Sequence, residues 1–442
     1  MKRIFSDHAY GLGPRTGCWW DETIAAPDWP ALQGTVQSDV AIVGAGFTGL
    51  SAALHLARAG ATVTVLEAGP PGWGASGRNG GFCCLGGSKL GGNEMVRHYG
   101  TAATHEYLQA EKDAVHLVSR ILTEHRIDAD THSNGETILA HRPRDMVALR
   151  QLADAVNRQD EATARLTEAA DLAELGMSGP FHGALTTDVG FALNPRKYLF
   201  GLAAAAQSAG ATVFQDSAAV RFERRDASWR VHTARGHVCA ETVLIATNGY
   251  SSEDLPPWLA GRYMPSQSNV LVTRPLSDAE IAAQGWSSDQ MAYDTRNLLH
   301  YFRLMPDRRF LFGMRGGLTS SPRAERRARQ NTRRDFERMF PAWRHVPSPW
   351  QWSGMVCLSR RRIPYAGPVP GHSGMFVGMA YHGNGVAMGS YIGRVLAGLA
   401  LSRTHEFPCP SIISSPMQRF PFGRLRRLVM PAAYAWYGLR DL

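Results

Sequence analysis

Residues 38–69, SDVAIVGAGFTGLSAALHLARAGATVTVLEAG, read as a strand, a glycine turn, a helix and a second strand. Residues 39–43 are a short, mostly apolar run, and Gly44, Gly46 and Gly49 close it with the GxGxxG spacing. Residues 50–58 are rich in Ala and Leu and meet Gly60 as a stop signal, so the turn opens a helix before a Val-rich strand begins. The glycines differ in mechanical role. Gly44 permits the tight turn, Gly46 lets backbone approach a pyrophosphate, and Gly49 lets helix and strand pack closely. The pyrophosphate then rests on N–H groups where the helix starts, around Ala45, Phe47 and Thr48. Glu67 ends the second strand, where a carboxylate accepts the hydroxyls of an adenosine ribose, with Ala68 beside it. The acid disfavours NADP, whose 2′-phosphate it repels. NAD and FAD both remain open on this stretch alone.

Residues 72–81, GWGASGRNGG, follow almost at once with five glycines around Arg78 and Asn79. Such a run forms neither a stable helix nor a stable strand; its use is to lay backbone against something flat or charged, the alternative being a mobile surface loop. Here the sequence resembles the FAD-dependent oxidoreductases of the D-amino-acid oxidase and glycine oxidase superfamily, and within it the gamma-glutamylputrescine oxidase-like branch, for which this loop is a signature. The resemblance implies FAD as cofactor, with Trp73, Gly74, Ala75, Ser76, Arg78, Asn79, Gly80 and Gly81 among its contacts. The histidine that some dimethylglycine dehydrogenase relatives use for a covalent flavin is not evident in this loop, so non-covalent FAD is expected.

The 442 residues exceed one simple core, and two intertwined domains are the natural expectation. A hydrophobic content of 44% against 19% charged residues describes an ordinary globular protein. No apolar run is long enough for a transmembrane helix, and the first residues lack a signal-peptide core, so the cytoplasm is the expected location. The six cysteines are scattered, without CxxC or histidines at metal spacing; free thiols and no metal are expected. Cys83 and Cys84 lie just past the glycine loop, where covalent flavin attachment and plain burial are both readings. The net charge of +9 comes from arginine, since only Lys2, Lys89, Lys112 and Lys197 are lysines. The densest run, residues 323–334, reads as a solvated helix, and no interleaving with aromatics points to nucleic acid.

Residues 1–37 form an irregular arm whose Trp19, Trp20 and Trp29 call for burial against the body. Long helices are expected over residues 93–126, a short strand at 136–140, a helix at 145–158 and loops over 166–192. Asn194-Pro195 starts another helix, followed by strands near 211–214 and 219–222, where the resemblance lets Val220 pair with adenine through its backbone. Residues 241–250, ETVLIATNGY, form a strand that breaks at Thr247, Asn248 and Gly249, the end of an open sheet where ligands bind. Residues 268–273, 299–304 and 309–314 read as antiparallel strands of a substrate domain. Alternation sets Tyr301 and Arg303 on one face and His300 and Phe302 on the other. Residues 375–399, MFVGMAYHGNGVAMGSYIGRVLAGL, are a strand, a turn and a helix; the resemblance aims the helix N-terminus, with Gly383, Asn384, Gly385, Val386 and Ala387, at the flavin pyrimidine ring. Free N–H groups and the helix dipole there stabilise the negative charge of a reduced flavin. His382 either faces substrate or bonds within the turn. Arg361 stands where the branch usually has an Asp, which favours an anionic substrate unless it is a surface residue. The basic, amphipathic tail could touch a membrane, but its proline and aromatic spacing fit docking on the body.

The expected fold class is α/β: a Rossmann-like FAD-binding domain with a mixed or parallel sheet (residues 38–92, 193–260 and 350–405), interleaved with an antiparallel-sheet substrate domain (93–192 and 261–349). The arm (1–37) and a docked tail (406–442) complete it. The expected reaction is amine or amino-acid oxidation by hydride transfer to FAD and hydrolysis of the imine. No strong general base is required. Arg303 and Arg315 are candidates for a substrate carboxylate, with Tyr301, His300, Tyr250 and His382 shaping the site. Molecular oxygen is the favoured electron acceptor, with Lys89 available to activate it, and an electron carrier the second choice. An NAD-dependent dehydrogenase would leave the later motifs without purpose; a non-catalytic flavin protein would retain all the cofactor motifs.

Overall fold

The strand Gly34–Val43 lies at the middle of an eight-stranded sheet, parallel to Gly236–Ile245 on one side and Val63–Leu66 on the other. This is a computed structural model, and it describes residues 1–158 and 163–441; the last residue of the expected tail lies outside these. Thr212–Phe214 extends the sheet in parallel beyond Val63–Leu66, and Met375–Met379 beyond Gly236–Ile245, with Tyr365–Pro368 antiparallel at the edge. The hairpin Arg221–Arg225 and Ser228–His232 pairs antiparallel with the early part of Gly236–Ile245. The helices Phe47–Arg58, Pro195–Ser208 and Ala387–Ala400 cover one face, packed on Leu50, Leu54, Ile392 and Leu396. The central strands are apolar on both faces because both are covered, as parallel sheets require.

The second sheet runs Trp350–Ser359, Tyr263–Val272, Phe310–Arg315, His300–Leu304, Met291–Asp294, Glu136–Leu139, Gly183–Thr187 and Ala164–Glu168. All its pairs are antiparallel except that between Met291–Asp294 and Glu136–Leu139. Two expectations are corrected here. Residues 166–192, expected as loops, include two of these strands and the short Gly190–Ala192; their runs are too brief to show a period. Trp350–Ser359, expected with the first sheet, pairs along its whole length with Tyr263–Val272. On the outer face Phe302, Phe310, Phe312, Phe336, Phe340 and Trp343 form an aromatic core. Phe336 comes from the helix Pro322–Met339, capped by Ser321, whose remaining turns carry the arginine-rich run. The inner face of the sheet looks across a cavity to the first sheet.

The arm and tail both pack on this body. Trp20 sits edge-on to Trp352 and donates its indole N–H to the Asn79 carbonyl at 2.8 Å. In the tail, Arg426 is buried against Glu253 at 2.8 Å, and the Tyr434 hydroxyl lies 2.6 Å from Ser266 Oγ. Among the described residues no helix is long and apolar enough to cross a membrane. All six cysteines are unpaired.

Candidate functional site

A cavity of about 380 Å³ lies between the two sheets, within the range of small-molecule sites. One end is walled by residues 44–48, 67–68 and most of 72–80; the middle by Ala246, Thr247 and Asn248; and the far side by residues 381–386. Thus five separated motifs of the sequence meet at one hollow. At the first end the turn is tight: Gly44 has φ +106°, and a Cβ on Gly46 would stand 2.8 Å from Ser76 Oγ. The Phe47 N–H donates to Ser76 Oγ at 3.0 Å, tying the helix start to the glycine loop. Glu67 Oε2 accepts from the Ala45 N–H at 2.8 Å, and Oε1 from Ala68 and Gly69. Burial pushes this carboxyl up, partly offset by those N–H donors, and its lone pairs are not exhausted by them. The hollow therefore offers a pinned acceptor, a strand end and a helix N-terminus in the order an adenine dinucleotide needs.

Other expected residues stand behind the wall or away from it. Gly49, Gly81, Gly249 and Ala387 do not line the cavity. A Cβ on Gly49 would meet the Gly44 carbonyl oxygen at 1.9 Å and one on Gly81 the Leu193 oxygen at 2.0 Å, so both shape the wall from behind. Val220 is half exposed and donates its N–H to the His232 carbonyl at 2.8 Å, which occupies the group expected to meet adenine; its neighbour Ala219 lines the cavity instead. Arg78, almost fully buried, donates to the Trp73 and Ser353 carbonyls beneath the rings of Trp73 and Tyr250. Asn384 turns its amide onto the Leu85 carbonyl and fastens the loop after the glycine run.

On the substrate side the geometry separates the candidates. Tyr301, Arg315, Tyr250 and His382 line the cavity; Arg303 and His300 do not. Arg303 shares the inner face with Tyr301 but is 1% exposed beneath the N-terminal arm. It donates to the Leu193 carbonyl at 2.8 Å and to His132 Nε2 at 3.0 Å, and lies over Trp20. Burial pulls it down to about 9. His300 faces outward, with Nδ1 2.8 Å from Asp294 and Nε2 near Asp335; burial opposes its charge, but these two carboxylates outweigh it and raise it to about 9. Both are therefore corrected from substrate contacts to interior ties. Arg303→Met is expected to cost about 2 kcal/mol of stability through the hydrogen bonds it removes, with substrate KM unchanged. Thermal melts and steady-state kinetics check both halves.

His382 lines the cavity, but its ring bonds neither within the turn nor toward an open face: it reaches two other segments. Its Nδ1–H donates to the Gly87 carbonyl at 2.7 Å and Nε2 accepts the Ser359 N–H at 3.1 Å, so both ring nitrogens are engaged. Burial lowers it to about 3, and the ring is neutral across the physiological range. Arg361 reaches the Ile412 carbonyl and Tyr99, away from the cavity. Arg315 points inward and donates to the His382 carbonyl at 2.6 Å; burial lowers it, opposed by Tyr434 and Tyr301. Lys89 lines the same hollow and is exposed by area. The Arg315 charge, then burial, brings it down to about 7. Glu136 and Tyr293 complete this end and were not singled out from sequence. The available signal for Glu136 was a carboxylate opening an otherwise apolar strand, ETILA.

A family model described as FAD dependent oxidoreductase matches residues 39–399. The chain belongs to that family. Curated relatives of this FAD-dependent oxidoreductase include the probable oxidoreductase OrdL of Rhizobium meliloti (strain 1021), 31% identical over 96% of this chain and 97% of that one. The gamma-glutamylputrescine oxidoreductase of Escherichia coli (strain K12) is 29% identical over 93% and 94%. Among solved structures, glycine oxidase from Geobacillus kaustophilus superposes with a TM-score of 0.70 at 18% identity, covering 87% of this chain and all of that one. The residues present suit FAD: backbone at Gly46 lines the hollow without a side chain in the way, the Glu67 carboxylate is fixed by the Ala45 N–H with lone pairs to spare, and Gly385 and Val386 bring a helix N-terminus to the cavity.

Proposed function

We propose that this oxidoreductase oxidises the C–N bond of an amine that also carries a carboxylate, of the gamma-glutamylputrescine, N-methyl amino acid or D-amino acid kind, using non-covalent FAD and molecular oxygen. The observation that carries this reading is that Arg315 and Lys89 both line the cavity, Arg315 beside the His382 carbonyl, so that two cations face the same hollow and the charge of one depresses the other. A carboxylate relieves that repulsion, and a guanidinium fork suits its shape. The name of the Escherichia coli relative supports a gamma-glutamyl amine. FAD held in the cavity would supply the acceptor for the hydride leaving the carbon beside the amine nitrogen and would pass two electrons, with two protons, to oxygen to give hydrogen peroxide. Tyr301, held by Ser268 Oγ at 3.0 Å, shapes the wall beside Arg315. Gly383 to Val386 would hold the flavin ring, and Glu67 the ribose. Lys89 is the cation available to oxygen. Water completes the reaction by hydrolysing the imine.

The test is anaerobic bleaching of the flavin absorbance by gamma-glutamylputrescine, sarcosine, dimethylglycine, proline and D-amino acids, followed by air. Bleaching by a carboxylate-bearing amine with rapid return of colour and peroxide is expected. Bleaching without return favours a dehydrogenase that uses a carrier, and no bleaching by any amine overturns the reading. Release of FAD on acid precipitation checks that it is not covalently attached.

A further inference from the structure

We propose that Glu136 is the amine-receiving group of this site: its carboxylate takes the proton of the incoming ammonium and delivers the neutral amine. This rests on the amine oxidation proposed above and adds a base that the sequence alone did not call for. Glu136 opens the strand Glu136–Leu139 on the inner face of the second sheet, lines the cavity, and is only 4% exposed. Cys84 lines the cavity with it, and the Glu136 Oε2 is buried with no hydrogen-bond partner. A buried acceptor left empty is rare in a folded protein and calls for a ligand. The ionisable groups around it are Cys84 and Lys89 from the loop after the glycine run, Glu111 from the helix Thr101–Glu124, and Tyr293 from the adjoining strand. Arg315, Lys89 and Glu136 all line the one cavity. A substrate with its carboxylate at Arg315 can therefore present its nitrogen to Glu136 within the same hollow.

The proton step balances within the site. One N–H bond of the ammonium breaks and an O–H bond forms on the Glu136 carboxylate, so cation and carboxylate become neutral amine and carboxylic acid together. The nitrogen keeps its electron pair, which the imine requires when the neighbouring C–H is lost. Burial, with the Glu111 charge, holds Glu136 up at about 8, poised for exchange near working pH. Lys89, at about 7, supplies a separate and lower titration.

The experiment is the pH profile of kcat/KM for the best amine, in the FAD-loaded wild type and in Glu136→Gln. Wild type should rise through about 8 as Glu136 ionises and fall above about 10 as the substrate ammonium is lost. In Glu136→Gln the limb near 8 should vanish, leaving a climb with free amine. Its deficit should be about 10²- to 10⁴-fold near pH 8 and close toward pH 10. Glu136→Asp should restore the limb at reduced rate, and decides the matter should the Gln variant fail to retain FAD. An unchanged profile, or a loss equal at every pH, overturns the proposal. Failure of wild type to oxidise any amine would instead sink the proposed function.

Discussion

Gly49→Ala is expected to purify without flavin colour. The added Cβ would lie 1.9 Å from the Gly44 carbonyl oxygen and 3.2 Å from Ile42 Cγ2. The first of these is backbone in the tight turn, so no rotamer change relieves the clash. Either the helix Phe47–Arg58 lifts from the strand Gly34–Val43, or the turn opens. Both displace the Ala45 N–H from Glu67, and with it the acceptor for the ribose. Overpacking of this kind costs about 3 kcal/mol or more where the obstacle is rigid. Gly46→Ala separates the two roles of the motif. Its Cβ meets Ser76 Oγ at 2.8 Å, a side chain that can rotate, so the protein should fold with little loss of melting temperature. The methyl group still stands where backbone must approach a pyrophosphate. Gly46→Ala should therefore be folded but poor in FAD, and Gly49→Ala poor in both, read by flavin absorbance and thermal melts of the two variants side by side.

That contrast also explains what could be read from sequence. The glycine turn, its helix and Glu67 are consecutive, so their geometry follows from local rules of backbone freedom and periodicity. The same holds for the break at Thr247 and the turn before Ala387. Alternation correctly set Tyr301 and Arg303 on one face, yet it could not say where along that face the cavity ends. The limit is drawn by Trp20, more than 280 residues earlier in the chain, which covers Arg303 and leaves Tyr301 open. His382 was ambiguous because its partners, Gly87 and Ser359, come from two distant segments. Glu136 escaped notice for the same reason: a carboxylate at a strand start reads as a solvated end until Cys84, Glu111 and Lys89 close around it. Membership of Trp350–Ser359 in the second sheet likewise depends on a pairing with Tyr263–Val272 that no local pattern encodes.

Arg315→Met is expected to raise KM for a carboxylate-bearing amine by about 30- to 5,000-fold, with FAD content unchanged. Removing one side of a buried, hydrogen-bonded charge pair costs about 2–5 kcal/mol, which fixes that range. The amide of the same amine, without the negative charge, should be affected far less, and the ratio between the two substrates is the quantity to measure. Arg315→Lys should recover only part of the loss. Its single ammonium cannot keep the bond to the His382 carbonyl and grip a carboxylate with a planar fork at once. A second consequence concerns Lys89. The Arg315 charge is first among the causes that bring Lys89 to about 7, so removing it lets the ammonium hold its proton to higher pH. A step near pH 7 in the wild-type rate of flavin reoxidation by air should therefore move upward in Arg315→Met. Loss of carboxylate selectivity with the reoxidation step unmoved would place Lys89 outside oxygen chemistry, while a shifted step with selectivity intact would remove Arg315 from substrate binding.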